Sequence, residues 1–417
     1  MIEDKPGAEP AGSSRALTLA TISFTVCFYA WALLGPLGPD LQEQLDLSDG
    51  QLALAVSIPV VLGSLMRIPL GVFAARYGGR AVFTALMAFT PLPLIGLALF
   101  NDSYGAVLAF GLLLGFAGAS FAVGVPFVNR WYPPERQGFA LGIYGMGMGG
   151  TVLGALTAPA IADATSIDVP FVLAAAVVAA MAATFWLLAR DAPAPAPPPS
   201  TMLSALSSFR GRGSGRAWAL TLFYFVAFGG FVAMFLYLPK LLVDVHDLTK
   251  TDAAARAAGF ALLAVIARPV GGILSDRIGA KSILVASFVG TAVLALVLAG
   301  AYEHMVPLTI ACLTLAVFLG LGTGAVFKLV PEWFPERVGA VTGVVGAAGG
   351  LGGFFPPLVM AFVKAETGSY WLGFVLMAAA AAVALLVIRT VRDPGDEAEE
   401  ESGLDAPPRA ATRSASC

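Results

Sequence analysis

Two arginines, Arg67 and Arg268, lie inside long apolar segments, 201 positions apart. A guanidinium is a planar, permanently charged fork that donates paired hydrogen bonds to a planar oxyanion, a match that the point charge of lysine does not offer. Placed in hydrocarbon it costs roughly 3 kcal/mol on insertion scales, so it must face a polar cavity or find a partner. No carboxylate lies at a matching depth. Glu135, Asp276, Glu332 and Glu336 fall at the segment ends on one side, and Asp163, Asp168, Glu303 and Glu366 at those on the other. An anion is then the natural counter-charge, and nitrate, nitrite and small carboxylates have the right shape. The structural alternative is that each arginine bonds backbone carbonyls or snorkels to the surface.

The surroundings of the two arginines repeat at the same offset. Arg67, Gly71, Arg76, Gly78 and Arg80 return as Arg268, Gly272, Arg277, Gly279 and Lys281. Glu135, Arg136, Gly138, Gly142, Gly145 and Gly149 return as Glu336, Arg337, Gly339, Gly343, Gly346 and Gly350. The chain is therefore a duplication with one buried arginine per half. Symmetry mates of this kind converge at the interface between halves, where transporters built from repeats hold their substrate.

The elements that position them are membrane helices. The 417 residues are 58% hydrophobic and 12% charged, with mean hydropathy +0.83, so the solvent is a bilayer. A helix needs about 20 apolar residues to cross it. Twelve segments qualify: 17–38, 51–74, 80–100, 104–129, 137–161 and 168–189, then 217–243, 253–275, 281–301, 306–330, 338–363 and 370–391. The reading is an all-α membrane protein of two pseudo-symmetric six-helix halves, residues 17–190 and 217–391. A tail (1–16), a proline-rich, then basic linker (191–216) and an acidic, disordered tail (392–417) complete it. Arg67 precedes Arg76 by nine residues, which places it about 13 Å inside the membrane edge, near the middle.

Basic residues set the orientation. The first connection carries Asp40, Glu43, Asp46 and Asp49 and no base, whereas Arg76, Arg80, Arg210, Arg212 and Arg216 fall on the opposite side. Both termini are thus expected in the cytoplasm, with the chain in the cell (inner) membrane as a monomer. A net charge of −3 gives no reason to expect nucleic acid. Cys27 and Cys312 sit in apolar spans and form no disulfide framework. There is no metal-ligand cluster, no nucleophile with a base and no nucleotide-binding loop in the sequence, so neither an enzyme nor a cofactor is expected.

Gly138, Gly142, Gly145 and Gly149 are spaced by four, three and four, which lines them along one helix face, and the second half repeats the pattern. Gly145, Gly149, Gly346 and Gly350 are the ones expected beside the substrate. GGILSDRIGAK, residues 271–281, fits the G-x-x-x-D-R-x-G-x-K/R loop of the major facilitator superfamily, while its mate has Ala75 in place of the aspartate. Asp276, with Arg277 and Arg76, is the expected gating group, latching onto the positive N-terminal end of span five near Gln137 and Gly138.

At these residues the sequence resembles the nitrate/nitrite porter family of that superfamily. FAGASFAVGVPFVNRWYPPERQGFALGIYGMGMGGT (116–151) and GLGTGAVFKLVPEWFPERVGAVTGVVGAAGGLGGFFPP (320–357) are similar to its two signatures. The resemblance implies the major facilitator fold, a clamp of Arg67 and Arg268 on nitrate or nitrite, and aromatic walls from Phe121, Tyr224 and Phe228. Met148 stands where the family commonly has asparagine. The expected function is secondary transport by alternating access, as a nitrate/nitrite exchanger or a nitrate/proton symporter with protons as a second partner. The alternatives are a porter for a small carboxylate such as formate or oxalate, and an anion sensor that moves nothing.

Overall fold

The structure, a computed structural model, describes residues 12–133, 136–193, 209 and 214–391. Most of the two tails and of the linker, together with Pro134, Glu135, Arg210 and Arg212, lies outside the described residues, as do the side chains of Ala75, Glu336 and Gly339.

Twelve helices in this part are long and apolar enough to cross a membrane. They are α1 (Ser13–Ala32), α2 (Asp49–Ala74), α3 (Gly79–Leu99), α4 (Tyr104–Asn129), α5 (Gln137–Ala164), α6 (Asp168–Leu188), α7 (Ser214–His246), α8 (Lys250–Ile278), α9 (Ala280–Ala301), α10 (Met305–Trp333), α11 (Ala340–Thr367) and α12 (Trp371–Thr390). Large side chains such as Leu99, Leu187, Val306 and Phe362 are left exposed around the outside, as contact with lipid requires. Cys27 and Cys312 are buried and free.

The largest departure from the sequence reading is at the first span, which stops at Ala32 rather than near 38. Pro36 lacks an N–H, and the chain tightens into short-range bonds, Gly35 N to Ala32 O at 3.1 Å and Gly38 N to Gly35 O at 3.1 Å. A separate short helix, Gly38–Leu45, then covers this end of the bundle. It is the far end, opposite the end where the two halves are linked.

The duplication is visible in local chemistry. Gly78 and Gly279 turn the chain from α2 to α3 and from α8 to α9 at φ 89° and 86°, a left-handed backbone that glycine adopts without a Cβ penalty. Two residues on, Arg80 donates to the carbonyl of Trp186 and Lys281 to that of Val391. Each base thereby ties the start of one helix to the last helix of its own half.

The glycine faces form the seams between halves. The face of α5 packs on α8, where a Cβ on Gly142 would lie 3.3 Å from Pro269. The face of α11 packs on α2, where a Cβ on Gly343 would lie 3.2 Å from the Arg67 carbonyl. Helix axes can approach this closely only because side chains are missing. Each arginine-bearing helix is thus pressed against the glycine-rich helix of the opposite half.

Candidate functional site

Arg67 on α2 and Arg268 on α8 are 2% and 3% exposed, so neither reaches lipid. Among the described residues they are the only buried charged side chains, and neither has an acidic partner. Their surroundings differ. Arg67 donates through Nε and Nη2 to the carbonyl of Gly118 at 3.4 and 3.2 Å, and through Nη1 to the carbonyl of Gly346 across the seam. For this arginine the backbone-carbonyl alternative describes the contacts seen. Arg268 lies along α5, where a Cβ on Gly145 would stand 2.8 Å from its Nε, and its Nη1 bonds the thioether sulfur of Met148.

Aromatic rings support both cations. The Arg67 guanidinium is 5.1 Å from the Phe228 ring, and that of Arg268 is 4.7 Å from Phe121 and 5.9 Å from Phe327. A desolvated cation over a ring gains about 2 kcal/mol, and a hydrogen bond from a charged donor about 1.5–3 kcal/mol. These terms offset the cost of burial while adding no negative charge. The rings are continuous: Phe121 meets Phe327 edge-on at 4.9 Å, Phe327 meets Tyr224 at 4.8 Å, and Tyr224 stacks on Phe228 at 4.9 Å with planes 1° apart. Tyr224 also lies within electrostatic range of both arginines.

Two irregular turns shape this belt. The helical repeat widens to a π turn at Phe225–Gly229 in α7, between Tyr224 and Phe228 and their neighbours. It tightens to a 3-10 turn at Met146–Gly149 in α5, which carries Met148. Such turns break the regular i to i+4 ladder and re-aim side chains. The close approach of Gly229 to Gly352, where a Cβ would meet Cα at 2.5 Å, leaves no room for a side chain at the π turn.

A cavity of about 210 Å³ runs from the linker end to Arg268, lined by Phe121, Phe327, Gln137, Lys328 and Glu332 among others. Of the expected site residues it reaches Arg268 and Phe121. Arg67, Tyr224, Phe228, Gly145, Gly149, Gly346 and Gly350 lie off its wall, deeper or on the seams. Gly346 and Gly145 touch the arginines, Gly350 faces Ser64, and Gly149 has room for a Cβ, whose nearest atom would be on Val265 at 4.0 Å.

At the cavity mouth Asp276 sits against the start of α5, where a Cβ on Gly138 would lie 2.8 Å from its Oδ2. It also pairs with Lys328 at 2.7 Å, a partner the loop motif did not suggest. Arg277 is exposed, and Arg76 is exposed beside the ring of Tyr77. Neither crosses to the other half in any contact seen.

Phe327, Lys328 and the bond from Arg268 to Met148 escaped the reading of the sequence. The repeat gave no signal, since their mates at the 201 offset are Pro126, Phe127 and, for Met148, Gly349. Phe327 and Lys328 do sit inside the second glycine-rich signature, which is the one hint available.

Residues 20–258 and 241–415 each match the family model of the Major Facilitator Superfamily. A probable nitrate/nitrite transporter of Mycobacterium tuberculosis, NarK2, is 42% identical over 380 residues, spanning 89% of this chain and 95% of that one. The nitrite extrusion protein of Bacillus subtilis is 36% identical over 377 residues, 89% and 93% of the two chains. Among solved structures, the human organic anion transporter MFSD10 superposes with a TM-score of 0.75 at 16% identity, covering 90% of this chain and 99% of its own, which speaks to the fold alone.

Proposed function

This chain belongs to the Major Facilitator Superfamily and, within it, to the nitrate/nitrite porter family, and from that premise we propose that it carries nitrate and nitrite across the cell membrane by alternating access. The observation that carries the reading is the pair of buried arginines, one from each half, met by carbonyls, a thioether, ring faces and, at Arg268, the Tyr224 side chain, with no carboxylate among them. All of these are neutral, so two full positive charges remain for an anion to balance. A small planar oxyanion held between the guanidinium groups would be gripped from both halves at once, and the rings of Phe121, Phe327, Tyr224 and Phe228 would exclude water around it. Gly145 and Gly346 leave the space in which each arginine crosses its seam.

The halves then rock about this site. The cavity leading to Arg268 serves as the inward path, the linker end faces the cytoplasm as the basic residues there require, and both termini lie on that side. The six-helix halves are the moving units, and one chain holds both arginines, so a monomer suffices. Asp276 against the positive start of α5 is the inner latch.

Exchange fits better than proton symport. Reorientation without an anion leaves two positive charges near the membrane centre, and among the described residues no acid or histidine is buried beside them to relay a proton. In liposomes of purified protein, labelled nitrate should enter rapidly when nitrite is inside, and at under about a tenth of that rate when the interior holds no anion. Equal uptake into anion-free liposomes under a pH gradient would replace exchange by symport.

A further inference from the structure

The far end of the bundle is closed by charge. Lys250, at the start of α8, reaches Asp40 at 3.1 Å and Glu43 at 2.5 Å on the short helix of the first half. Hydrogen bonding from this lysine holds the Glu43 carboxyl below its ordinary range. Asp49, in the first turn of α2, reaches Lys240 of α7 at 3.1 Å and Lys364 of α11 at 3.4 Å. Asp244 completes a four-membered ring, pairing with both lysines and accepting from Tyr370 at 2.7 Å. Thr251 of α8 donates to Asp163 of α5 at 2.9 Å. In each of these cross-half contacts the acid comes from the first half and the donor from the second.

The repeat explains the complementarity. At the 201 offset Asp49 becomes Lys250 and Asp163 becomes Lys364. The pseudo-twofold places the start of α2 against the end of α11, and the start of α8 against the end of α5. A duplicated chain with identical residues at these positions would oppose like charges at both seams. Inverting the sign in one half turns the same geometry into attraction: Asp49 meets Lys364, and Asp163 meets the turn that carries Lys250. Lys240 and Asp244 are 17% and 15% exposed, so this ring is screened less than a surface pair. The opposite end, by contrast, holds the cavity leading to Arg268.

We propose that Asp49, Lys240 and Lys364, together with Asp40, Glu43 and Lys250, are the outer gate of the transport cycle, and that breaking these cross-half contacts is the step that opens the anion path to the outside. The proposal rests on the alternating-access reading but not on which anion is carried. When the halves part at the far end, Asp49 must leave both lysines and Lys250 must leave both acids.

Two measurements test it, in a background with Cys27, Cys312 and Cys417 replaced. Ala53 is buried beside Asp49 in the crevice between α2 and α7. An Ala53→Cys reporter should react with an impermeant maleimide at least about threefold faster when Asp49→Asn is added, because outward-open molecules become more frequent. Separately, Glu43→Cys with Lys250→Cys should form a disulfide under mild oxidation that cuts nitrate/nitrite exchange at least about tenfold, with recovery on adding reductant. Recovery shows that the protein is folded throughout. An unchanged labelling rate, or full exchange by the cross-linked protein, overturns the gate. If instead labelling rises while the cysteine-replaced parent, with its gate residues intact, moves neither nitrate nor nitrite, the gate stands and the cargo is wrong.

Discussion

The two buried arginines occupy equivalent places in a duplicated chain, yet Arg67 is held and Arg268 is available. Arg67 has three bonds to two backbone carbonyls and lies off the cavity, whereas Arg268 bonds no backbone carbonyl among the described residues, meets the Met148 thioether and the Tyr224 side chain, and forms part of the cavity wall. The aromatic support differs as well. The mates of Tyr224 and Phe228 on α7 are Ser23 and Cys27 on α1, so the second half supplies Tyr224, Phe228 and Phe327, whereas the first supplies Phe121 with Phe24 and Tyr144 packed behind it. Duplication supplied a pair of charges, and divergence around them made one fixed and one exposed to the linker end. In the state described, the cavity from the linker end reaches Arg268 and not Arg67, so under the proposed function an anion entering there meets Arg268 first.

The sharpest way to break this comparison is to remove the forks. Arg67→Lys and Arg268→Lys should each lower exchange at least about a hundredfold, since losing a charged bidentate contact costs about 3 kcal/mol. Insertion should be unaffected, as the charge is kept. If Arg67→Lys were near normal, Arg67 would be a structural cation and only Arg268 would handle the anion.

A second comparison uses the glycine mates Gly350 and Gly149. A Cβ on Gly350 would stand 2.0 Å from the Ser64 oxygen, while one on Gly149 finds its nearest atom at 4.0 Å. Gly350→Ala should therefore destabilise the protein by about 1–3 kcal/mol, read as a lower melting temperature in detergent, with partial recovery on adding Ser64→Ala. Gly149→Ala should change it little. Equal effects of the two alanines would mean that the seams are symmetric after all.

The smallest effect concerns the inner latch. Asp276→Asn removes a charge facing the start of α5, a contribution of about 0.3–1 kcal/mol, and should raise the inward-open fraction about two- to fivefold in spin-label distance measurements across the linker end. An unaltered distance distribution would leave Asp276 serving only its bond to Lys328.

Much of this was legible in the sequence because duplication turns isolated residues into matched ones. The 201 offset singled out Arg67 and Arg268, the two glycine faces and the Gly78 and Gly279 turns, and the structure puts the faces on the seams and the turns at positive φ. The same logic is silent wherever the halves diverge. Phe327, Lys328 and Met148 have mates of another kind, and they gather at Arg268. The π turn in α7 and the 3-10 turn in α5 have regular helix at their mate positions, so no periodicity marked them. Asp49 was read only for which side of the membrane it marks, and Lys240, Lys250 and Lys364 drew no functional reading. Their pairing depends on three-dimensional proximity across a seam, although the sign inversion from Asp49 to Lys250 is present in the sequence.

The central claim is that a nitrate ion is held jointly by one guanidinium from each half. Equilibrium dialysis of labelled nitrate against purified protein, wild type and the two lysine variants, tests it without any contribution from gating. Saturable binding of about one nitrate per chain is predicted for the wild type, weakened at least about tenfold by Arg67→Lys and by Arg268→Lys alike. Undiminished binding in either variant would contradict a site shared between the halves.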